Sequence, residues 1–390
     1  MAVYLDHAAT SPLLPAVKEA FLKQLDQVGN PSSIHSLGQA ARRAVEEARE
    51  KIALAIGCHR SEVIFTSGGT EADNLAVKGL YWQRNKGLDK RQVIISAATE
   101  HHAVIEPLEW LEAEQGAEVL WVPVSESGEL DLVWFQETLQ NRHSEIALVS
   151  LMWANNEIGV VTPIQEVTRM ASNFEIPVHS DAVAAFGHLD INFAQSGLSA
   201  MTISGHKLGA PVGVGALIVS RSIKLTQVMH GGGQERDLRS GTLSGPLAVA
   251  LAEAVGIAVS NLSTKAKRMS ELVDYLKSGV LSIAPDAIFT RGEAPALPGN
   301  AHFMFPGCAG DSLLFLLDSA GVAVSTGSAC RAGVADPSHV VLAMGLTEHE
   351  ARSCLRISLS SQSTQADIDA FLAALPAAHA AAKKAGISGF

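Results

Sequence analysis

The chain has 390 residues, 47% of them hydrophobic and 18% charged, which excludes a disordered chain and a coiled coil. Twenty-nine Lys and Arg against 40 Asp and Glu give a net charge of −11, so no nucleic-acid partner is expected. At about 150 residues per domain the length suggests two to three domains around a sizeable core. Short β-branched runs predict strands at Val63–Thr66, Val93–Ser96, Val119–Val122, Ile146–Met152, Val178–Ser180, Met201–Ser204 and Gly215–Val219. Helical stretches lie between several of them. In Leu37–Ile56, Leu37, Ala41, Ala44, Ala48, Ile52 and Ala55 recur at three- and four-residue steps and make one apolar face. Strands alternating with helices predict an α/β fold, its mostly parallel seven-stranded sheet covered on both faces. After about residue 260 the pattern changes. Helices are expected at Met269–Leu281, Asp311–Ala320 and Gln365–Leu375, with Ala373–Ala385 reading as a helix end. Strands are expected at Ala301–Phe305, Val322–Ser325 and Leu355–Leu359. This divides the chain into a large domain, 15–260, and a smaller α+β domain built from 1–14 and 261–390.

Lys207 follows the predicted strand Met201–Ser204 and precedes a glycine-rich turn. It reads either as a solvated loop lysine or as a Schiff-base lysine, since a partly desolvated amine attacks aldehydes. Asp181 ends the strand Val178–Ser180 and reads either as a helix cap or as a partner for a protonated pyridine nitrogen. Both lie at the carboxyl ends of strands, where open α/β sheets bind ligands. Gly68-Gly69-Thr70 follows a strand and opens a helix, a setting that suits an anion, although the signal is weak by itself. His101 could stack on a flat ring, and no metal-ligand spacing surrounds it, so no metal is expected. The cysteines at 58, 308, 330 and 354 form no C-x-x-C pair, which argues for a reduced, cytoplasmic setting. Cys330 sits among small residues in a segment that reads as a mobile exposed loop, with Arg331 able to favour a thiolate. Cys354, beside Leu355 and Ile357, reads as structural. No apolar run reaches the roughly 20 residues of a membrane span, and Met1–Pro15 lacks a secretory core. His230-Gly231-Gly232-Gly233 could suggest a hydrolase oxyanion hole, but no Gly-x-Ser-x-Gly elbow accompanies it.

Together these segments resemble the cysteine desulfurases, pyridoxal-phosphate enzymes of the class V aminotransferase group with fold type I. The resemblance runs from Tyr4-Leu5-Asp6-His7-Ala8-Ala9-Thr10 through Thr66–Asn74, Asn155-Asn156-Glu157-Ile158-Gly159, Ser204–Lys207 and Arg239-Ser240-Gly241-Thr242 to Ser325–Cys330 and Leu355–Ser358. It implies that Lys207 binds the pyridoxal 5'-phosphate aldehyde, Asp181 holds the ring nitrogen and His101 stacks on the ring. Gly69, Thr70, Ser204 and His206 would bind the phosphate, and Thr242 would reach the cofactor of the other subunit of a homodimer. Asn156 and Arg356 would hold the substrate, L-cysteine, with Asn156 also touching the cofactor. Cys330 would take the sulfur as a persulfide for an acceptor protein: a scaffold, a thiolation enzyme or a dedicated client. The sequence departs from the family at Ala184, where a glutamine usually reaches the cofactor's phenolic oxygen. That substitution keeps open a low-activity member, beside a selenocysteine lyase or an aminotransferase on the same fold. The resemblance also leads to the expectation that this chain does not carry the long C-terminal extension of housekeeping members.

Overall fold

A computed structural model describes residues 3–387 except 328, 329, 332, 333 and 336; the side chains at 330, 331, 334, 335, 386 and 387 are also outside the description. Seven strands form the central sheet in the order Val63–Thr66, Gly215–Val219, Ala200–Ser204, Val178–Asp181, Ile146–Ser150, Val93–Ala97, Glu118–Val122. Gly215–Val219 runs antiparallel to both neighbours; the other pairs are parallel. All seven expected strands are present, two with the expected bounds and five with an end shifted by one or two residues. Ile146–Met152 shortens to Ile146–Ser150, after which the chain leaves the ladder at the carboxyl edge of the sheet.

The near-continuous apolar strands follow from burial on both faces. Ile94, Leu148, Ala200 and Leu217 pack on one side with Ala72, Leu75 and Ala76 of the helix Gly69–Arg84. Ile95, Val149, Ile203 and Ala216 pack on the other with Val45, Ile52 and Leu251, from the helices Ser36–Ile56 and Gly245–Val259.

A second core joins Leu5 to Val273, Phe303, Leu313, Leu355 and Phe371. Its sheet has the order Cys354–Ser358, Asn300–Met304, Ile288–Phe289, all antiparallel. Helices Leu262–Ile283, Gly310–Ser319 and Gln365–Ile387 accompany it. The first begins earlier than its periodicity suggests. The last runs through Pro376, so the expected helix and the Ala-rich tail are one element. Val322–Ala323 pairs in parallel with Val3–Tyr4, a two-residue strand too short to show any period. Cys330–Arg331 pairs with Val334–Ala335. The expectation of a mobile exposed loop around Cys330 lies outside the described residues. Among the described residues no single helix is long and apolar enough to cross a bilayer.

Candidate active site

Four strand ends and one helix start meet at the carboxyl edge of the large sheet. Gly69, Thr70, Asp73, His101, Met152, Asn156, Asp181, Val183, Ala184, Ser204, His206 and Lys207 line one cleft of about 470 Å³, counting its open mouth. Nine of the residues singled out in the sequence therefore converge there or beside it: Gly69, Thr70, His101, Asn156, Asp181, Ser204, His206 and Lys207 on its wall, and Arg356 one hydrogen bond away.

Lys207 closes a short 3-10 turn, Gly205–Lys207, directly after the strand Ala200–Ser204. Its Nζ donates to the carbonyls of Ala8 and, at 2.9 Å, Ala9. Burial and the nearby Arg356 cation lower its pKa to about 8, with Asp181 and Asp6 pulling the other way. About a tenth of this amine is therefore neutral and nucleophilic at pH 7, against under a thousandth for an ordinary lysine.

Asp181 is 5% exposed at the end of its strand. One oxygen accepts the Val183 N–H at 2.8 Å, but a turn rather than a helix follows, so Asp181 is not the helix cap that the sequence also allowed. Burial raises its pKa to about 6, against the Val183 hydrogen bond and the Lys207 charge. His101 caps the helix His102–Gln115, its Nδ1 accepting the Ala103 N–H at 3.1 Å. Burial first, then Lys207 and the neighbouring histidines, lower its pKa to about 4. The imidazole is thus neutral, with its proton on Nε2.

Arg356 is buried in the strand Cys354–Ser358. It donates to the Asn156 carbonyl at 2.9 Å and to Asp6 at 2.7 Å. Its Nε is buried without a partner, a free donor beside the cleft. Thr242 is exposed and does not line this cleft. The Cys330 side chain lies outside the described residues. Burial, then Glu157 and Glu350, push the Cys354 thiol up to about 12, as a structural cysteine requires.

Sequence reasoning missed a buried polar seam behind Asp181. The Ser150 hydroxyl meets His179 Nδ1 at 2.9 Å, and His179 Nε2 meets the Thr202 hydroxyl at 3.1 Å. Asp73 lies 3.5 Å from the same nitrogen. His179 sits two residues before Asp181, hence on the same sheet face, a spacing that could have flagged it.

The family model for class-V aminotransferases matches residues 3–371. An IscS-like cysteine desulfurase of Mycobacterium tuberculosis is 50% identical over 386 residues, 99% of this chain and 98% of the relative. The solved structure of a NifS-like protein from Rickettsia africae matches with a TM-score of 0.87 at 33% identity, covering 97% of this chain and 100% of that one. SspA, solved in complex with cysteine, matches with a TM-score of 0.79 at 33% identity, over 93% of this chain and 99% of that one. By these matches the chain belongs to the class-V aminotransferase family, among its pyridoxal-phosphate-dependent cysteine desulfurases.

Proposed function

We propose that this protein binds pyridoxal 5'-phosphate on Lys207, removes sulfur from L-cysteine to leave L-alanine, and carries that sulfur as a persulfide on Cys330. The observation that carries the reading is the meeting of Lys207, Asp181, His101 and the Gly69–Thr70 turn in one cleft.

The residues fit the cofactor. A Cβ on Gly69 would sit 3.0 Å from Val183 Cγ2 and 3.6 Å from Ser204 Cβ, inside the space between the two phosphate-binding segments. The turn opens the helix Gly69–Arg84, whose first N–H groups and dipole favour an anion. Asp181 is a buried carboxylate whose nearest compensating charge is an amine already committed to two backbone carbonyls, so a protonated ring nitrogen would complete it. When bound, pyridoxal phosphate supplies an electron sink for negative charge at the substrate's Cα.

The chain's own residues divide the remaining work. Arg356 and Asn156 would orient the substrate, with Arg356 gripping its carboxylate. Lys207 Nζ, once free of the aldehyde, would carry the Cα proton. The Cys330 thiolate would attack the substrate sulfur: the new S–S bond forms as the carbon–sulfur bond breaks, and its electron pair stays on the carbon that becomes the alanine methyl after protonation. An acceptor protein would then take the sulfur, for iron–sulfur cluster assembly or for thiolation. A homodimer is part of this reading, and the exposure of Thr242 is compatible with its serving another subunit; a cytoplasmic setting is proposed from the cysteine spacing alone.

The test is stoichiometric release of alanine from L-cysteine, with sulfide appearing when a thiol reductant is added. Cys330→Ala should abolish both while keeping the visible absorbance of bound cofactor; Lys207→Ala should lose the absorbance too. Unchanged sulfide release from Cys330→Ala would remove Cys330 from this role. Keto-acid product in place of alanine would point to an aminotransferase.

A further inference from the structure

The segment between Met229 and Leu243 is held in a conformation it would not choose. Glu235, Arg236 and Asp237 have φ values of 48°, 59° and 62°, three consecutive side-chain-bearing residues in the left-handed region. Such backbone persists only where its surroundings over-determine it, and it clusters at functional positions. Two forked ion pairs do the holding. Arg49 Nη1 and Nη2 donate to Glu235 at 2.9 and 2.6 Å, and Glu235 also accepts the Phe65 N–H at 2.7 Å. Arg239 Nε and Nη2 donate to Glu71 at 2.7 and 3.2 Å. Inside the segment, the Gly241 N–H donates to Gln234 at 2.9 Å. Beyond these pins Thr242 is exposed, as are Arg236 and Asp237 within the segment.

Glu71 makes the second pin informative. It stands in the first turn of the helix that Gly69 opens, and it also accepts the Ser67 N–H at 2.7 Å. One carboxylate therefore joins the phosphate cradle of this subunit to the segment that carries Thr242. The pair is mutually reinforced, since Arg239 and the Ser67 contact lower the Glu71 pKa against its burial, and Glu71 raises that of Arg239.

We propose that Glu71 and Arg239 are positioning residues that fix Thr242, from its own subunit's phosphate cradle, for use in the partner subunit's cofactor site. This rests on the reading above that Thr242 serves the other subunit. Its signature is an effect in trans: a broken pair harms the site opposite, whereas a role confined to supporting Ser67 and Gly69 harms the site of the same subunit.

Mixed dimers separate the two. Cofactor affinity is read by equilibrium dialysis and by the visible absorbance of lysine-bound cofactor, so that only subunits with Lys207 count. The Arg239→Gln homodimer should bind cofactor about tenfold more weakly, the scale of one charge-assisted hydrogen bond, and Arg239→Lys should recover part of it. A dimer of one Lys207→Ala subunit and one Arg239→Gln subunit should bind at its single lysine site as the wild type does. A dimer of one wild-type subunit and one carrying both changes should bind weakly. The reverse pattern, or equal affinities throughout, overturns the inference while leaving the proposed function standing. A wild-type chain that stays monomeric in light scattering, or takes up no cofactor, overturns the dimeric reading and the inference with it. Unchanged melting temperatures of the cofactor-free variants exclude misfolding as the cause.

Discussion

At Lys207 the chemistry reduces to one proton. Its pKa is brought down from 10.5 to about 8, chiefly by burial and then by Arg356. A lowered amine pKa means that the neutral form gains as pH rises and is dominant above the shifted value. The rate at which cofactor-free protein captures pyridoxal phosphate should therefore climb about tenfold per pH unit below pH 8 and level off above it. Stopped-flow absorbance across pH 6 to 10 checks this, and a midpoint near the ordinary lysine value contradicts it. Asp181 offers a sharper separation of folding from function. Asn at this position still accepts the Val183 N–H but lacks the buried charge. Removing an uncompensated buried charge does not destabilise a fold. Asp181→Asn should leave the melting temperature of the cofactor-free protein unchanged or slightly raised, while cofactor affinity falls. A collapse in stability would show that Asp181 is a structural group first. Both residues were legible from their place at the carboxyl end of a strand, Asp181 as its last residue and Lys207 in the turn just beyond Ser204. Arg356 was legible only through a resemblance. Its partner Asp6 is 350 positions away, and no local pattern connects them.

The elements show why the cradle is built where it is. Gly215 opens the antiparallel strand between Val63–Thr66 and Ala200–Ser204. A Cβ there would lie 2.8 Å from the Gly68 carbonyl carbon and 2.8 Å from the Ile203 oxygen, contacts with backbone that cannot swing aside. The strand must pass this close for the cradle to face Ser204. Gly215→Ala should cost about 1–3 kcal/mol, the range for overpacking, and should weaken cofactor binding beyond what the stability loss explains. Differential scanning calorimetry with and without cofactor measures both, and an unaltered cofactor-induced shift in melting temperature would contradict the second part. The sheet itself was readable in outline, because buried strands are apolar runs flanked by turns. Strand order was not, since the antiparallel insertion of Gly215–Val219 depends on tertiary pairing. At the C-terminal helix, expected as two overlapping stretches, one element runs through Pro376 to Ile387, its buried face carrying Phe371, Leu375, Ala378 and Ala382 into the second core. Packing of that face outweighs the lost hydrogen bond.

Across the whole molecule, residues 3–11 act as a strap. Val3–Tyr4 pairs with Val322–Ala323, the Ala8 N–H meets the Ser358 hydroxyl at 2.9 Å, and the Ala8 and Ala9 carbonyls hold Lys207. Asp6 meanwhile holds Arg356. One short segment thus touches both cores and both charged groups that the proposed chemistry uses. Ala8 and Ser358 are 350 positions apart, so this segment is made at the start of synthesis and waits for almost the whole chain before it can dock. Contacts so distant in sequence form slowly because loop-closure entropy opposes them. After dilution from denaturant, far-ultraviolet circular dichroism should recover before the protein can capture pyridoxal phosphate; simultaneous recovery would contradict this order. A ribosome-bound fragment can therefore shape its large sheet while it still lacks Arg356 and Ser358, the late-made groups that complete the surroundings of Lys207 and anchor the strap.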